Sequence, residues 1–394
     1  MTARNDATAD ALADRAGAVL SWLQAEQAAM VALLMELARL ESPTDDPAAV
    51  APVLTRLEAE LRAAGMLVRR LRGQRTGGVI VARPARRIRH RPLQLVVGHC
   101  DTVWPVGTLA TMPLRMQDGR LSGPGVFDMK AGLVQAVFAL RALHDLRLQL
   151  PATPVLLVNS DEEIGSSEST RAIERLARIA CRAFVMEPAL GPSGKLKTAR
   201  KGVGQFRLKL TAAQAAPNAV AAELARLIRA LSDLNDLPGG VGVNVGLVDG
   251  GGEAAGMMSA AELVVDVRVP AATAVGRVED AIYGLSMGAA TVALEISGRV
   301  TRMPLERTAR NQSLWRTARR LGDELGLALE EGAAGGGSDG NTTSQFTATL
   351  DGLGAVGDGA HALHEHVLVD ALPGRAALLA LLLLSPLHSE SSDL

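Results

Sequence analysis

Leu93-Gln-Leu-Val-Val-Gly-His-Cys-Asp101 is an apolar run, too short for an ordinary helix, that ends in a histidine and an acid. Three other runs end alike: Val155-Leu-Leu-Val-Asn-Ser-Asp-Glu-Glu163, Ala183-Phe-Val-Met-Glu187 and Gly354-Ala-Val-Gly-Asp-Gly-Ala-His361. A further acid, Asp128, follows the turn Gly123-Pro-Gly-Val-Phe and precedes a helical stretch. Open α/β sheets collect their ligands beyond the carboxyl ends of the strands, so these five places are expected to converge. One nitrogen or oxygen donor from each, with no thiolate, suits one or two zinc ions in a reactive site better than a cysteine-rich structural one.

Outward from these runs the chain alternates strand and helix. Apolar residues at helical spacing mark helices over 19–40, stopped by Pro43, and over 50–64, stopped by Gly65. Short apolar runs at 79–81, 93–97, 155–158 and 184–186 read as strands, with a helix over 131–146 between them. That alternation predicts an α/β fold, a mostly parallel sheet with helices on both faces. From 203 to 300 the order changes to strand 206–210, helix 219–234, strands 241–248 and 263–269, helix 278–285 and strand 292–296. This β-α-β-β-α-β order is the ferredoxin-like pattern. The expected organisation is therefore one α/β domain, 1–202 and 307–394, interrupted by a compact insert, 203–306; a last helix covers 376–384.

Composition narrows the function. With 41 Lys+Arg against 42 Asp+Glu and 2% aromatics, nothing argues for nucleic acid or an anionic membrane surface. Two cysteines make no disulfide framework, and the charged start lacks a signal peptide's apolar run; a cytoplasmic protein is expected. Cys100 should face away from His99 into the core, since neighbouring strand residues point to opposite faces. His90, His144 and His388 are expected to be exposed. Gly335-Gly-Gly-Ser338-Asp-Gly340 matches a nucleophile elbow, with Asp351 and His361 following in serine-hydrolase order. A serine hydrolase using Ser338 is thus an alternative, though it leaves His99, Asp128, Glu163 and Glu187 without purpose.

The motifs Gly98-His-Cys-Asp-Thr-Val-Trp-Pro-Val-Gly107, Gly123-Pro-Gly-Val-Phe-Asp-Met-Lys-Ala-Gly132, Ser160-Asp-Glu-Glu-Ile-Gly-Ser166, Glu187-Pro188, Gly335-Gly-Gly-Ser-Asp339 and Ala360-His-Ala-Leu-His-Glu365 occur in order. Together they resemble the co-catalytic zinc exopeptidases and amidohydrolases that include bacterial glutamate carboxypeptidase, aminoacylase, acetylornithine deacetylase and succinyl-diaminopimelate desuccinylase. The wording is most similar to the glutamate carboxypeptidase branch. The resemblance implies two zinc ions per chain, with cobalt or manganese as substitutes. Asp128 would bridge them, His99 and Glu187 would complete one site, and Glu163 and His361 the other. Asp101 would orient His99, and Glu162 would be the general base. His361 is preferred over His364 and His366 because the family pattern has an acid four residues after the ligand, here Glu365. Asn244 and Arg302 match substrate-contacting positions, and the insert resembles a lid and dimerisation domain. The implied substrate is small and carries an amide beside a carboxylate: a peptide losing its C-terminal amino acid, glutamate foremost, or an N-acyl amino acid losing its acyl group. A homodimer through the insert is the implied partner.

The chain departs from that family in its insert. Relatives carry a lid histidine that helps hold the oxyanion, whereas this sequence has no histidine between His144 and His361. Gln214 falls near that place, and Ala255-Gly-Met-Met258 replaces a further lid motif. A metal-binding protein with impaired turnover is therefore a third reading, and Gln214 a neutral substitute donor.

Overall fold

The Leu93–His99 run is a strand buried along nearly its whole length, as a central strand covered on both faces must be. In the computed structural model, which describes residues 15–86, 88–212, 219–237, 239–251 and 258–387, it lies within a six-stranded sheet. It pairs in parallel with Thr153–Asn159 on one side and Ala180–Val185 on the other, and Ala180–Val185 continues in parallel to Thr349–Leu350. Beyond Thr153–Asn159 the pairings turn antiparallel, to Val79–Pro84 and then to Met66–Leu71. The sheet is therefore mixed. Sequence reading assigns no strand to 66–71, because Arg69 and Arg70 face solvent and leave a half-exposed pattern without a continuous apolar run.

Two apolar helices, Ala131–Asp145 and Leu372–Leu384, pack on one another and are buried nearly throughout. The expected helix over 19–40 is two, Arg15–Ala25 and Gln27–Arg39, bent by 57° at Glu26. The next, Pro47–Ala63, starts where the Asp46 carboxylate accepts from the Ala48 and Ala49 N–H groups, with proline in its first turn. Gly65 follows it at φ 74°, the left-handed conformation that glycine adopts without penalty. Among the described residues no single helix is long and apolar enough to cross a membrane.

The chain divides into two compact units. One comprises the chain up to Thr198, Arg307–Gly332 and the chain from Ser338; the other comprises Ala199–Glu306 and Ala333–Gly337. The glycine-rich 333–337 stretch, read above with the α/β domain, joins the second unit, where Lys201 N–H donates to Ala334 O at 3.1 Å.

The second unit follows the order Gly202–Ala212, Ala219–Asp233, Gly242–Gly251, Ala260–Val269, Ala272–Tyr283 and Val292–Arg302. Its four strands are antiparallel, with Gly242–Gly251 and Val292–Arg302 at the two edges. Residues alternate between buried and exposed along Gly202–Ala212, and Phe206, Leu208, Leu263 and Val265 pack with Leu227, Leu231, Val278 and Ile282 from the helices. That is a sheet with one face covered by helices. The second helix starts at Ala272, six residues before the expected Val278, because its small first-turn residues carry little apolar signal. Gln214 and 255–257 lie outside the described residues.

The core of the first unit is expected to behave as one packed body. Leu381→Ala, at a fully buried position, should lower unfolding free energy by about 2–5 kcal/mol in denaturant titration. A change below about 1 kcal/mol would show that this helix is loosely packed.

Candidate metal centre

Each of the five places lies at or near the end of a regular element of the first unit. His99 is the last residue of its strand, beside Asn159 of the parallel neighbour. Glu162 and Glu163 open the single turn that follows Thr153–Asn159, and Glu187 lies two residues past Ala180–Val185. Asp128 precedes the Ala131–Asp145 helix, whose Gly132 lets it approach closely: a Cβ there would stand 2.1 Å from Met186 O. His361 lies in the turn before His366–Leu368 with φ 60°, a left-handed conformation uncommon for any residue but glycine.

These side chains converge. His99 Nε2 is 3.3 Å from Asp128 Oδ1 and 3.4 Å from Glu187 Oε1. His361 Nε2 is 3.3 Å from Asp128 Oδ2 and 3.2 Å from Glu163 Oε2. Asp128 thus offers one oxygen to each imidazole. A carboxylate oxygen of Glu162 also joins His99 and Glu187, the three donor atoms lying within 4.8 Å of one another. Sequence reading placed all six residues together, and the structure brings all six together.

The charges respond to this crowding. Burial pushes the Asp128 carboxyl up, but the His361 and His99 imidazoles outweigh it and hold the group far below the ordinary range. Burial disfavours a charged His99, yet Asp101, Asp128 and Glu187 raise it well above 6.5. Asp128 and then Glu163 raise His361 to about 10. Burial raises Glu163, and its pairing with His361 only partly offsets this. Asp128 Oδ1 and Glu163 Oε1 are buried without a hydrogen-bond donor of good geometry. Buried carboxylate oxygens left so are costly unless a cation completes them. Two histidines and three carboxylates, with an open oxygen on Asp128 and on Glu163, are the donor set of a two-metal site, so the residues fit zinc.

Two buried acids hold the cluster in place. Asp101 accepts from Thr44 Oγ1 at 2.7 Å, Glu162 N at 3.3 Å and Glu163 N at 3.2 Å. Its own carbonyl oxygen lies 3.0 Å from His99 Nδ1 and its carboxylate 3.4 Å. Asp101 therefore orients the imidazole chiefly through its backbone, while its side chain fixes the Glu162–Glu163 turn. Glu365 accepts from Gly125 N at 2.9 Å, Phe127 N at 2.9 Å, Asp128 N at 3.0 Å and Trp104 Nε1 at 2.8 Å. Sequence reading used Glu365 only to choose among histidines and missed that it carries the Asp128 loop; its spacing from His361 was the available signal. Lys197, with Nζ 4.0 Å from Glu187 Oε2, was also missed, and nothing in its sequence context marks it.

The remaining candidates separate from the cluster. Ser338 Oγ donates to Asp351 Oδ2 at 2.5 Å and accepts from Gly340 N at 2.9 Å, capping the short helix Asp339–Thr343. His361 is engaged by Asp128 and Glu163 instead, so the serine-hydrolase arrangement does not form. Cys100 is buried, and burial raises its thiol to about 12, as expected of a core cysteine. His90 and His144 are exposed; His388 lies outside the described residues. Asn244 and Arg302 belong to the second unit, Asn244 exposed on an edge strand and Arg302 buried at the end of the other.

Comparison with known proteins agrees with this geometry. Residues 95–385 match the model of "Peptidase family M20/M25/M40". Carboxypeptidase G2 of Pseudomonas sp. (strain RS-16) is 30% identical over 218 residues, covering 54% of this chain and 50% of that protein, so the match spans about half the length of that curated relative. A family M20 metallo-carboxypeptidase from Sulfolobus solfataricus superposes with a TM-score of 0.70 at 16% identity, covering 90% of this chain and 98% of the other. A dinuclear metal-binding peptidase from Bacillus subtilis gives 0.68 at 14% identity, covering 92% and 98%. At those identities the two structures speak for the fold.

The raised histidines would make metal uptake at this candidate site pH-dependent. A histidine raised by pairing stabilises the metal-free fold below its ordinary value, near 6.5, and that contribution disappears as pH climbs through about 10 for His361. Metal ligation needs neutral imidazoles, so zinc binding at pH 7 should release at least about one proton per chain and tighten as pH rises. Calorimetric titration in two buffers of different ionisation enthalpy measures the release; buffer-independent heats would contradict the pairing.

Proposed function

The chain belongs to peptidase family M20/M25/M40, and on that premise we propose that it is a two-zinc hydrolase of peptide or amide bonds. Its proposed reaction releases a C-terminal amino acid, glutamate first among candidates, from a peptide or N-acyl amino acid. An N-acyl-amino-acid deacylase would hydrolyse the same kind of bond, an amide beside a carboxylate. The observation that carries the reading is the sharing of Asp128 between His99 and His361, each imidazole also paired with its own glutamate.

In this reading His99, Glu187 and Asp128 hold one zinc and His361, Glu163 and Asp128 the other. When bound, the pair would acidify water and neutralise charge developing on the substrate carbonyl. Glu162, although its carboxylate lies near His99 and Glu187, is proposed as the base and not as a ligand, on the sequence resemblance. Its carboxylate takes the proton of the attacking water as the carbon–oxygen bond forms, then delivers it to the amine as the carbon–nitrogen bond breaks. Asp101 keeps Glu162 in reach by accepting from its N–H. On the sequence resemblance alone, Asn244 and Arg302 are proposed to contact substrate, Arg302 through the substrate carboxylate, a task suited to a guanidinium fork. A homodimer through the second unit is also proposed. Its edge strand Gly242–Gly251 leaves Leu247 and Val248 about half exposed, which supports that reading.

Glu162→Gln removes the base but keeps size and shape, so zinc content should stay unchanged while kcat on an N-acyl-glutamate falls by about 10²–10⁴. His361→Ala should lose zinc and activity together. Equal zinc loss in both variants would make Glu162 a ligand, and full activity of Glu162→Gln would overturn the mechanism. Arg302→Ala should raise KM at least about tenfold for the acid and change it little for the C-terminal amide, because only the acid offers a charge to the guanidinium. An equal effect on both would remove Arg302 from substrate recognition.

A further inference from the structure

The first unit holds a cavity at the opposite end of the sheet from the metal cluster. Thr153 and Pro154, at the start of the strand that ends at Asn159, form part of its wall. His99 pairs with Asn159 at the other end, so strand geometry puts roughly 20 Å between cavity and cluster. The cavity measures about 200 Å³, and Met66, Leu140, Leu143, Leu148 and Leu150 give it an apolar floor. Its rim is different. Arg86, Arg91 and the His144 imidazole line it, and no acidic side chain does.

Some arginines of this unit pair with acids: Arg56 with Glu36 and Glu60, and Arg141 with Glu26 and Glu60. Among the described residues Arg86 and Arg91 have no such partner. Two guanidinium groups beside an apolar hollow that no acid lines offer charge-assisted hydrogen bonds to an anion. Gly65 helps shape the rim. A Cβ there would lie 2.9 Å from the His144 ring, so glycine leaves room for the imidazole at the mouth. Concave, mostly apolar surroundings with a few convergent polar groups are the usual form of a small-molecule site, and this one is small for the class.

We propose that this cavity binds a compact organic carboxylate, its apolar body among Leu140, Leu143, Leu148 and Leu150 and its carboxylate on Arg86 and Arg91. The site is separate from the hydrolytic centre and does not depend on the reaction assigned to it. Charge selects the carboxylate over its neutral amide, and volume selects a short or branched chain over a long one.

Calorimetric titration of the zinc-loaded protein with hexanoate and with hexanamide tests this. Hexanoate should bind and hexanamide should bind at least about tenfold more weakly. Arg86→Gln/Arg91→Gln, on an exposed loop, should weaken hexanoate at least about tenfold while zinc content and turnover of an N-acyl-glutamate stay unchanged. His361→Ala, which disrupts the metal cluster, should leave hexanoate binding intact and so separates this site from direct ligation of zinc. The proposal is overturned if hexanoate does not bind, binds no better than hexanamide, is indifferent to the two arginines, or is lost with His361.

Discussion

One carboxylate facing two imidazoles is the constraint on which the first unit depends. Asp128 gives Oδ1 to His99 and Oδ2 to His361, and the histidines come from residues far apart in sequence. For both to reach one acid, the ends of three parallel strands, the start of a buried helix and a left-handed turn must all come together. Parallel strands bring His99, the Glu162–Glu163 turn and Glu187 to one edge. The glycine at 132 lets the helix that follows Asp128 close against Met186. The geometry of the cluster is therefore a property of the sheet.

Concentrating acids in this way is expensive, and the surrounding structure offsets the cost with hydrogen bonds. Glu365 is buried among four donors, three of them backbone N–H groups of the loop ending at Asp128. Asp101 is buried among a hydroxyl and two N–H groups. Neither faces the cluster as an open acid; each fixes a loop that does. Such supporting groups commonly contribute as much to metal affinity as tenfold to a hundredfold. Asp128 Oδ1 and Glu163 Oε1 have no such donor of good geometry, although both are buried.

How much of this is legible in sequence follows from the kind of signal each part leaves. Apolar runs leading into His99, Glu163 and Glu187 announce both strand and site, because these residues end a buried strand or follow it within a few positions; the run before His361 forms only the two-residue strand Gly357–Asp358 of another sheet. The strand at 66–71 leaves no such mark, since Arg69 and Arg70 break its pattern. The break at Glu26 is equally hidden, because apolar spacing continues across it. Asp101 was legible as a partner of His99, but its bonds to Glu162 and Glu163 depend on how a distant turn folds back. Lys197 beside Glu187 is a pure product of tertiary packing. Ser338 shows the converse: a convincing local motif, here a helix cap bonded to Asp351.

The central claim is that Asp128 joins two metal positions in one site. Elemental analysis of zinc-equilibrated, desalted protein tests it most directly, comparing the unaltered chain with Asp128→Asn. The account predicts about two zinc ions per chain, as paired-ion hydrolases hold, and loss from both positions together when Asp128 changes. One zinc ion or none in the unaltered chain, or two retained by Asp128→Asn, would contradict it.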